Sequence, residues 1–115
     1  MKYSILDKSH DPMGAAISDF QRSGKTARLR VLSSMFEEDE MPVAHLFRSF
    51  GQMPRLEQKA LEMAYGRVLD IGAGAGCHAL ALQERDIEVK AIDISPLSCE
   101  VMSERGIKDV ECVNL

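Results

Sequence analysis

No stretch of the chain approaches the ~18 consecutive apolar residues that a membrane span requires, so no transmembrane helix is expected. The first residues, Met1 to Asp11, lack the apolar core of a secretory leader, and a cytoplasmic protein is the expectation. Cysteine is scarce. Cys77, Cys99 and Cys112 are odd in number and have neither CxxC nor metal-ligand spacing, which argues for three reduced, mostly buried thiols and no metal site. A basic excess is missing too: the net charge is −4, without the footprint of a nucleic-acid binder. There are no internal repeats or low-complexity tracts, and no catalytic triad. At 115 residues the chain is one domain at most, with room for a moderate core.

Glycine, by contrast, is concentrated where it matters. Val68-Leu69-Asp70-Ile71-Gly72-Ala73-Gly74-Ala75-Gly76 reads as a buried strand running into a loop with glycine at every second position. A helix opens at about Cys77. Glycine permits a tight turn with positive φ and lets the backbone approach a ligand with no Cβ in the way. The helix N-terminus behind it offers unpaired N–H donors. Asp93, 17 residues beyond Gly76, ends a second apolar run, Val89 to Ile94. A carboxylate there can accept hydrogen bonds from both hydroxyls of a ribose. The two features point to a nucleoside-containing ligand at the carboxyl ends of two parallel strands.

Around this centre the pattern alternates. Strands are expected at 67–71, 89–94 and about 110–115, and helices at 77–85 and 96–105. The second helix has Ser95 as N-cap, Pro96 at its first position and Gly106 past its end. Such alternation predicts an α/β fold, a Rossmann-like parallel sheet holding the first three strands in the order 3-2-1. Before it, residues 1–53 read as an N-terminal helical segment and residues 54–115 as the start of the sheet domain. A helix is expected from Pro12 to near Gly24, with Met13, Ala16, Ile17 and Phe20 on one side. Ala27–Leu32 fits either a short strand or a helix start. Glu37 to Glu40 reads as a solvated acidic turn, and Met41-Pro42 as the opening of a short helix ended by Gly51. Pro54 opens a helix to about Tyr65 with a core stripe of Leu56, Ala60, Met63 and Ala64. A doubly wound sheet needs further strands beside the first, so part of a longer protein is expected, with strand 67–71 as an apolar edge. Self-association through that edge follows.

The loop departs from a dinucleotide fingerprint. G-x-G-x-x-G would put its third glycine at Cys77, and Asp70 replaces the usual apolar residue. A carboxylate repels a pyrophosphate and attracts an ammonium group. Val68–His78 (VLDIGAGAGCH) and Ala91–Ser95 (AIDIS) resemble the first motif and the acidic second-strand end of the class I S-adenosylmethionine-dependent methyltransferases. The resemblance covers about residues 54–115. It implies S-adenosyl-L-methionine as cofactor. In that reading Gly72, Gly74 and Gly76, with Ile71 and Ala73 between and beside them, pass close to its methionine portion. Asp70 lies near the amino group, Asp93 holds the ribose and Ile94 packs against adenine. The implied activity is methyl transfer by direct displacement, with a small-molecule acceptor favoured by the acidic charge. In similar small-molecule enzymes, helices before the first strand cap the substrate, a role open to residues 1–53. The alternatives are an NAD-dependent oxidoreductase domain and a noncatalytic cofactor-binding or interaction module.

Displacement at a sulfonium needs alignment more than acid–base chemistry, and no catalytic residue is singled out. His78, just inside the helix after the loop, can point at the cofactor or a substrate, with a structural or solvent-facing role the stronger reading. His45 and His10 are candidate bases from a cap, and Cys77 a candidate low-pKa thiol, with packing the stronger reading. Ser23-Gly24-Lys25-Thr26 mimics the end of a P-loop but has Asp19 where that motif requires glycine. Arg22, Lys25, Arg28 and Arg30 form a basic cluster read as a solvated face.

Overall fold

The computed structural model describes residues 5–25, 28–32, 34–35 and 39–114. Helix α1 (Pro12–Ser23) starts where Asp11 caps it, accepting the Gly14 N–H at 2.9 Å, and stops at the left-handed Gly24. Of the predicted apolar side, Ala16 and Ile17 are buried and Phe20 half-buried while Met13 is exposed, and α1 lies against a helix from the C-terminal half described below. The ambiguous segment is a strand. β1 (Arg28–Val31) pairs antiparallel with β2 (Asp39–Pro42), and Arg30 stands opposite Glu40, a favourable cross-strand pairing. The N-terminal region is therefore not wholly helical. Half of the expected acidic turn, residues 37–38, lies outside the described residues, and the other half, Asp39 and Glu40, belongs to β2.

The helix expected after Pro42 is two 3₁₀ turns, Val43–Phe47 and Phe50–Gln52, separated by extended Arg48 and Ser49. Ser49 restarts the turn through a capping box with Gln52, while the Arg48 side chain reaches His45 O at 2.7 Å. Next, α2 (Arg55–Glu62) is shorter than its pattern. It ends early because the Arg85 guanidinium supplies donors to the Leu61 and Glu62 carbonyls. Its core stripe is also not the predicted one. Leu56 and Met63 are 82% and 69% exposed, and Leu61 is buried instead. Polar bonds roll the helix: Gln58 donates to Phe50 O at 3.0 Å and Met53 O at 3.1 Å, and Glu57 pairs with Arg48.

The strand–helix alternation follows as read: β3 (Arg67–Ile71), α3 (Cys77–Glu84), β4 (Glu88–Asp93), α4 (Pro96–Glu104) and β5 (Val110–Cys112). The sheet is parallel in the order β3-β4-β5, the predicted 3-2-1, with Asp70 beside Ala91 and Asp93 beside Cys112. Ser95 caps α4 by accepting the Ser98 N–H at 3.0 Å. Val89 and Ala91 pack with Ala79, Leu82, Met102 and Ile107 into the main core. The alternate positions of β3, Leu69 and Ile71, are exposed. A smaller cluster joins Ile17 of α1, Val101 of α4 and Ala75 of the glycine loop, with Leu46 and Phe47 against it. The N-terminal segment thus packs directly behind the loop. No helix among the described residues is long and apolar enough to cross a membrane.

Candidate functional site

The turns after β3, β4 and β5 meet at the carboxyl end of the sheet, the end at which open α/β sheets hold ligands. Gly72, Gly74 and Gly76 all have positive φ (68°, 61° and 83°), but they do different jobs. A Cβ on Gly72 or Gly74 would meet nothing within 4 Å. One on Gly76 would collide with Ile107 and come within 3.0 Å of Met102 Cγ. Two glycines leave open space above the loop. The third seats the loop and α3 against the core.

The loop amides are already committed. Gly72 and Ala73 donate to Ile92 O at 2.9 and 3.0 Å, Gly76 donates to Ala73 O at 2.9 Å, and Gly74 donates to Asp93 Oδ2 at 2.9 Å. These four loop amides are therefore not free to meet a ligand, and the donors expected behind the loop are those of the first turn of α3. From behind, the Arg105 guanidinium donates to Ala75 O and lies 4.7 Å from the Phe47 ring centroid. Phe47 contacts Phe20 in turn, with centroids 4.5 Å apart.

Asp93 ties two turns together, since its Oδ1 accepts the Ser95 N–H at 2.9 Å while Oδ2 holds Gly74. A hollow of about 330 Å³ opens there, lined by Ile71, Gly72, Ile92, Asp93, Ile94, Val113 and Asn114. The structure thus brings together the predicted Ile71, Gly72, Asp93 and Ile94. A hollow of similar size at Arg67, Glu88 and Asp109 sits at the opposite, amino ends of the strands, away from the loop. The N-terminal segment braces the Asp93 turn: Leu6 N–H donates to Ile94 O at 2.9 Å, and buried Asp11 accepts the Ser95 hydroxyl.

Asp70 sits at the end of β3 with a buried Oδ2 that has no hydrogen-bond partner among the described residues. Burial pushes its carboxyl above the ordinary carboxylate range, His78 pulls it down and Asp93 pushes it up. Nearby, Glu57 accepts both Arg48 guanidinium nitrogens at 2.9 and 3.0 Å and His78 Nε2 at 2.8 Å. The Arg48 bonds, then the His78 bond, lower its pKa from 4.5 to about 2.

A carboxyl with a raised folded-state pKa favours folding only while protonated, so ionised Asp70 opposes folding at neutral pH. Asp70→Asn is expected to stabilise the ligand-free protein by about 1 kcal/mol, allowing for the water that still reaches the group. The gain fades as pH falls through the carboxylate range, where Asp70 also becomes neutral. Thermal unfolding at pH 7 and pH 4 checks both halves.

The other candidates are not in this site. His10 contacts Ser9 on an exposed turn, and His45 is exposed on the Val43–Phe47 turn. Cys77 is buried, and burial pushes its thiol up, against a nucleophilic role. Cys99, a buried residue of α4, is pushed up to about 12 by burial and by neighbouring Cys112. Gly24 closes the C-terminus of α1, so the Ser23–Lys25 stretch has no helix N-terminus to offer a phosphate; Thr26 lies outside the described residues. Within the basic cluster, Arg22 donates to Ser18 Oγ at 3.2 Å and stands 3.9 Å from Glu104. Sequence reasoning missed Arg48, Glu57 and Arg105. Nothing local marks them, because their partners lie on distant elements; Asp11-Pro12 did announce a helix start but not the tie to Ser95.

This architecture is that of a Rossmann-like α/β protein. Comparison with protein-family models and with curated proteins gives no match. Among solved structures, the chain is similar to a SAM-dependent methyltransferase from Bacteroides fragilis, crystallised in complex with S-adenosyl-L-homocysteine, at 62% identity and a TM-score of 0.92. The match covers 99% of this chain and 47% of that one, so the chain spans about half the length of the solved protein. Over nearly its whole length the chain is thus similar to one part of a SAM-dependent methyltransferase.

Proposed function

We propose that the protein is an S-adenosylmethionine-dependent methyltransferase and that this chain carries the cofactor-binding half of its site. The observation that carries the reading is Asp70, a buried carboxylate two residues before the open Gly72–Gly74 loop, with one oxygen unpartnered among the described residues. An orphaned buried acceptor is costly unless a ligand completes it, and the ammonium group of an amino acid does so. The same carboxylate counts against a pyrophosphate, which it would repel. Likeness to a methyltransferase crystallised with S-adenosyl-L-homocysteine supports the same reading.

S-Adenosylmethionine supplies a methyl group on a sulfonium, which passes to a nucleophile by direct displacement. Asp70 is assigned to its ammonium group, Asp93 to the ribose hydroxyls and Ile94 to the adenine face. Ile71, Gly72, Ala73 and Gly74 form the wall beneath, and Gly76 holds that wall in place. Residues 1–53 serve as a brace for the site, supported by the Asp11–Ser95 and Leu6–Ile94 bonds. The acidic net charge of −4 favours a small-molecule acceptor, and the free Cys77, Cys99 and Cys112 suit a reducing cytoplasm.

Isothermal titration with S-adenosylhomocysteine, with NAD as comparison, tests the assignment. Selective binding of the first is expected, with Asp70→Asn weakening it by about tenfold, the scale of a lost charged hydrogen bond. Preference for NAD would overturn the reading.

A second proposal concerns β3. Among the described residues it pairs only with β4, and Leu69 and Ile71 stand 51% and 62% exposed beside its free edge. An apolar edge of this kind templates a further strand, and a second copy of the chain offers one. Light scattering of the 115-residue chain at tens of micromolar should show a species heavier than a monomer. A monomer removes the proposal.

A further inference from the structure

The cofactor assigned above ends in an amino acid, so it presents a carboxylate beside its ammonium group. Asp70 answers only the cation. A cationic side chain near Asp70 would answer the carboxylate, and three stand beside the loop among the described residues: Arg48, Arg105 and His78. Arg48 is spent in a two-bond pair with Glu57 at 2.9 and 3.0 Å. Arg105 is turned to the back of the loop, on Ala75 O and the Phe47 ring. His78 remains.

We infer that His78, oriented by Glu57 and Arg48, is the counter-group for the α-carboxylate of the bound cofactor. This rests on the methyltransferase reading. His78 follows the loop directly, in the first turn of α3, and its field reaches Asp70. Its Nε2 lies 2.8 Å from Glu57 Oε1. Glu57 is ionised near neutrality, so it acts as an acceptor and the Nε2 proton stays on the ring. That fixes the tautomer and leaves Nδ1 for the ligand, since both nitrogens of a charged imidazole donate. The imidazole is 42% exposed, so the ring is open to a ligand while its tip is pinned. Arg48, between the two 3₁₀ turns, completes the arrangement by holding the Glu57 carboxylate of α2 with two bonds. Glu57 and Arg48 are positioning residues, acting through His78.

The probes are S-adenosylhomocysteine and its decarboxylated analogue, titrated into the full chain. His78→Ala should weaken S-adenosylhomocysteine by about tenfold or more, the scale of a lost charge-assisted hydrogen bond, and leave the analogue within about twofold. His78→Gln keeps a polar bond to Glu57 but cannot carry charge, and should show the same selective loss if the alanine variant folds poorly. Glu57→Gln should show a smaller loss of the same selectivity. Equal weakening of both ligands, or none in either histidine variant, overturns the role of His78 while leaving the methyltransferase reading intact. Failure of the unsubstituted protein to bind either adenosyl ligand removes both.

Discussion

Gly76→Ala is expected to destabilise the protein by about 3 kcal/mol, lowering its melting temperature by roughly 10–20 °C. Two separate costs combine. Gly76 has φ 83°, where an L-residue costs about 1–2 kcal/mol. A methyl group there would also drive into Ile107 and crowd Met102, and overpacking of a filled core typically costs about 1–3 kcal/mol. Gly24→Ala is the matched control, because Gly24 has φ 70° but nothing within 4 Å of a new Cβ. It should show the conformational cost alone. Gly72→Ala, equally open, should resemble Gly24→Ala in stability yet lose binding of S-adenosylhomocysteine if, as proposed, the ligand occupies the space its added methyl group would fill. Thermal unfolding of the three variants by circular dichroism decides the matter. If Gly76→Ala and Gly24→Ala melt together, Gly76 has no packing role and the division of labour within the loop is wrong.

That division was not legible in the sequence. G-x-G-x-G announces a tight loop, but which glycine faces solvent and which faces Ile107 depends on a residue 31 positions away. The strands, by contrast, were legible. Val68 and Val89 alternate within short runs bounded by turn residues, and both motifs sit where those runs end. Ser95, Pro96 and Gly106 fixed α4 to within a residue or two for the same local reason. The N-terminal region defeated local reading because its elements are held by tertiary bonds. Leu56 and Met63 have helical spacing and yet face solvent. Glu57 and Gln58 gain more from Arg48 and from the Phe50 and Met53 carbonyls than the apolar stripe gains from burial. The four-residue strands β1 and β2 are too short for a period to declare itself, and each is defined by the other. Of the candidate site, Asp70, Asp93 and Ile94 were found because motif and strand end coincide. Arg105, reaching Ala75 from the far end of α4, left no trace in its neighbourhood.

Asp93→Ala should damage stability and binding together, and the two effects are separable. In the ligand-free protein one carboxylate holds Gly74 N–H and Ser95 N–H, each at 2.9 Å, and so joins the glycine loop to the start of α4. Both are bonds to a charged acceptor at partly buried positions. Their loss is expected to cost about 2–3 kcal/mol, with water replacing part of each. The loop then loses its tie to β4 at the position where Gly72 and Gly74 must stay open. Binding of S-adenosylhomocysteine should weaken further, by about 10–100-fold, if the same carboxylate receives the ribose hydroxyls. A loosened loop alone would weaken every adenosyl ligand equally. A 2′,3′-dideoxy analogue of S-adenosylhomocysteine distinguishes the causes in a thermodynamic cycle, because it lacks the hydroxyls that Asp93 would bind. The unsubstituted protein should prefer the parent ligand strongly, and Asp93→Ala should bind the two almost alike. If the variant keeps the full preference, the ribose is held elsewhere, and Asp93 is a structural tie between two turns and nothing more.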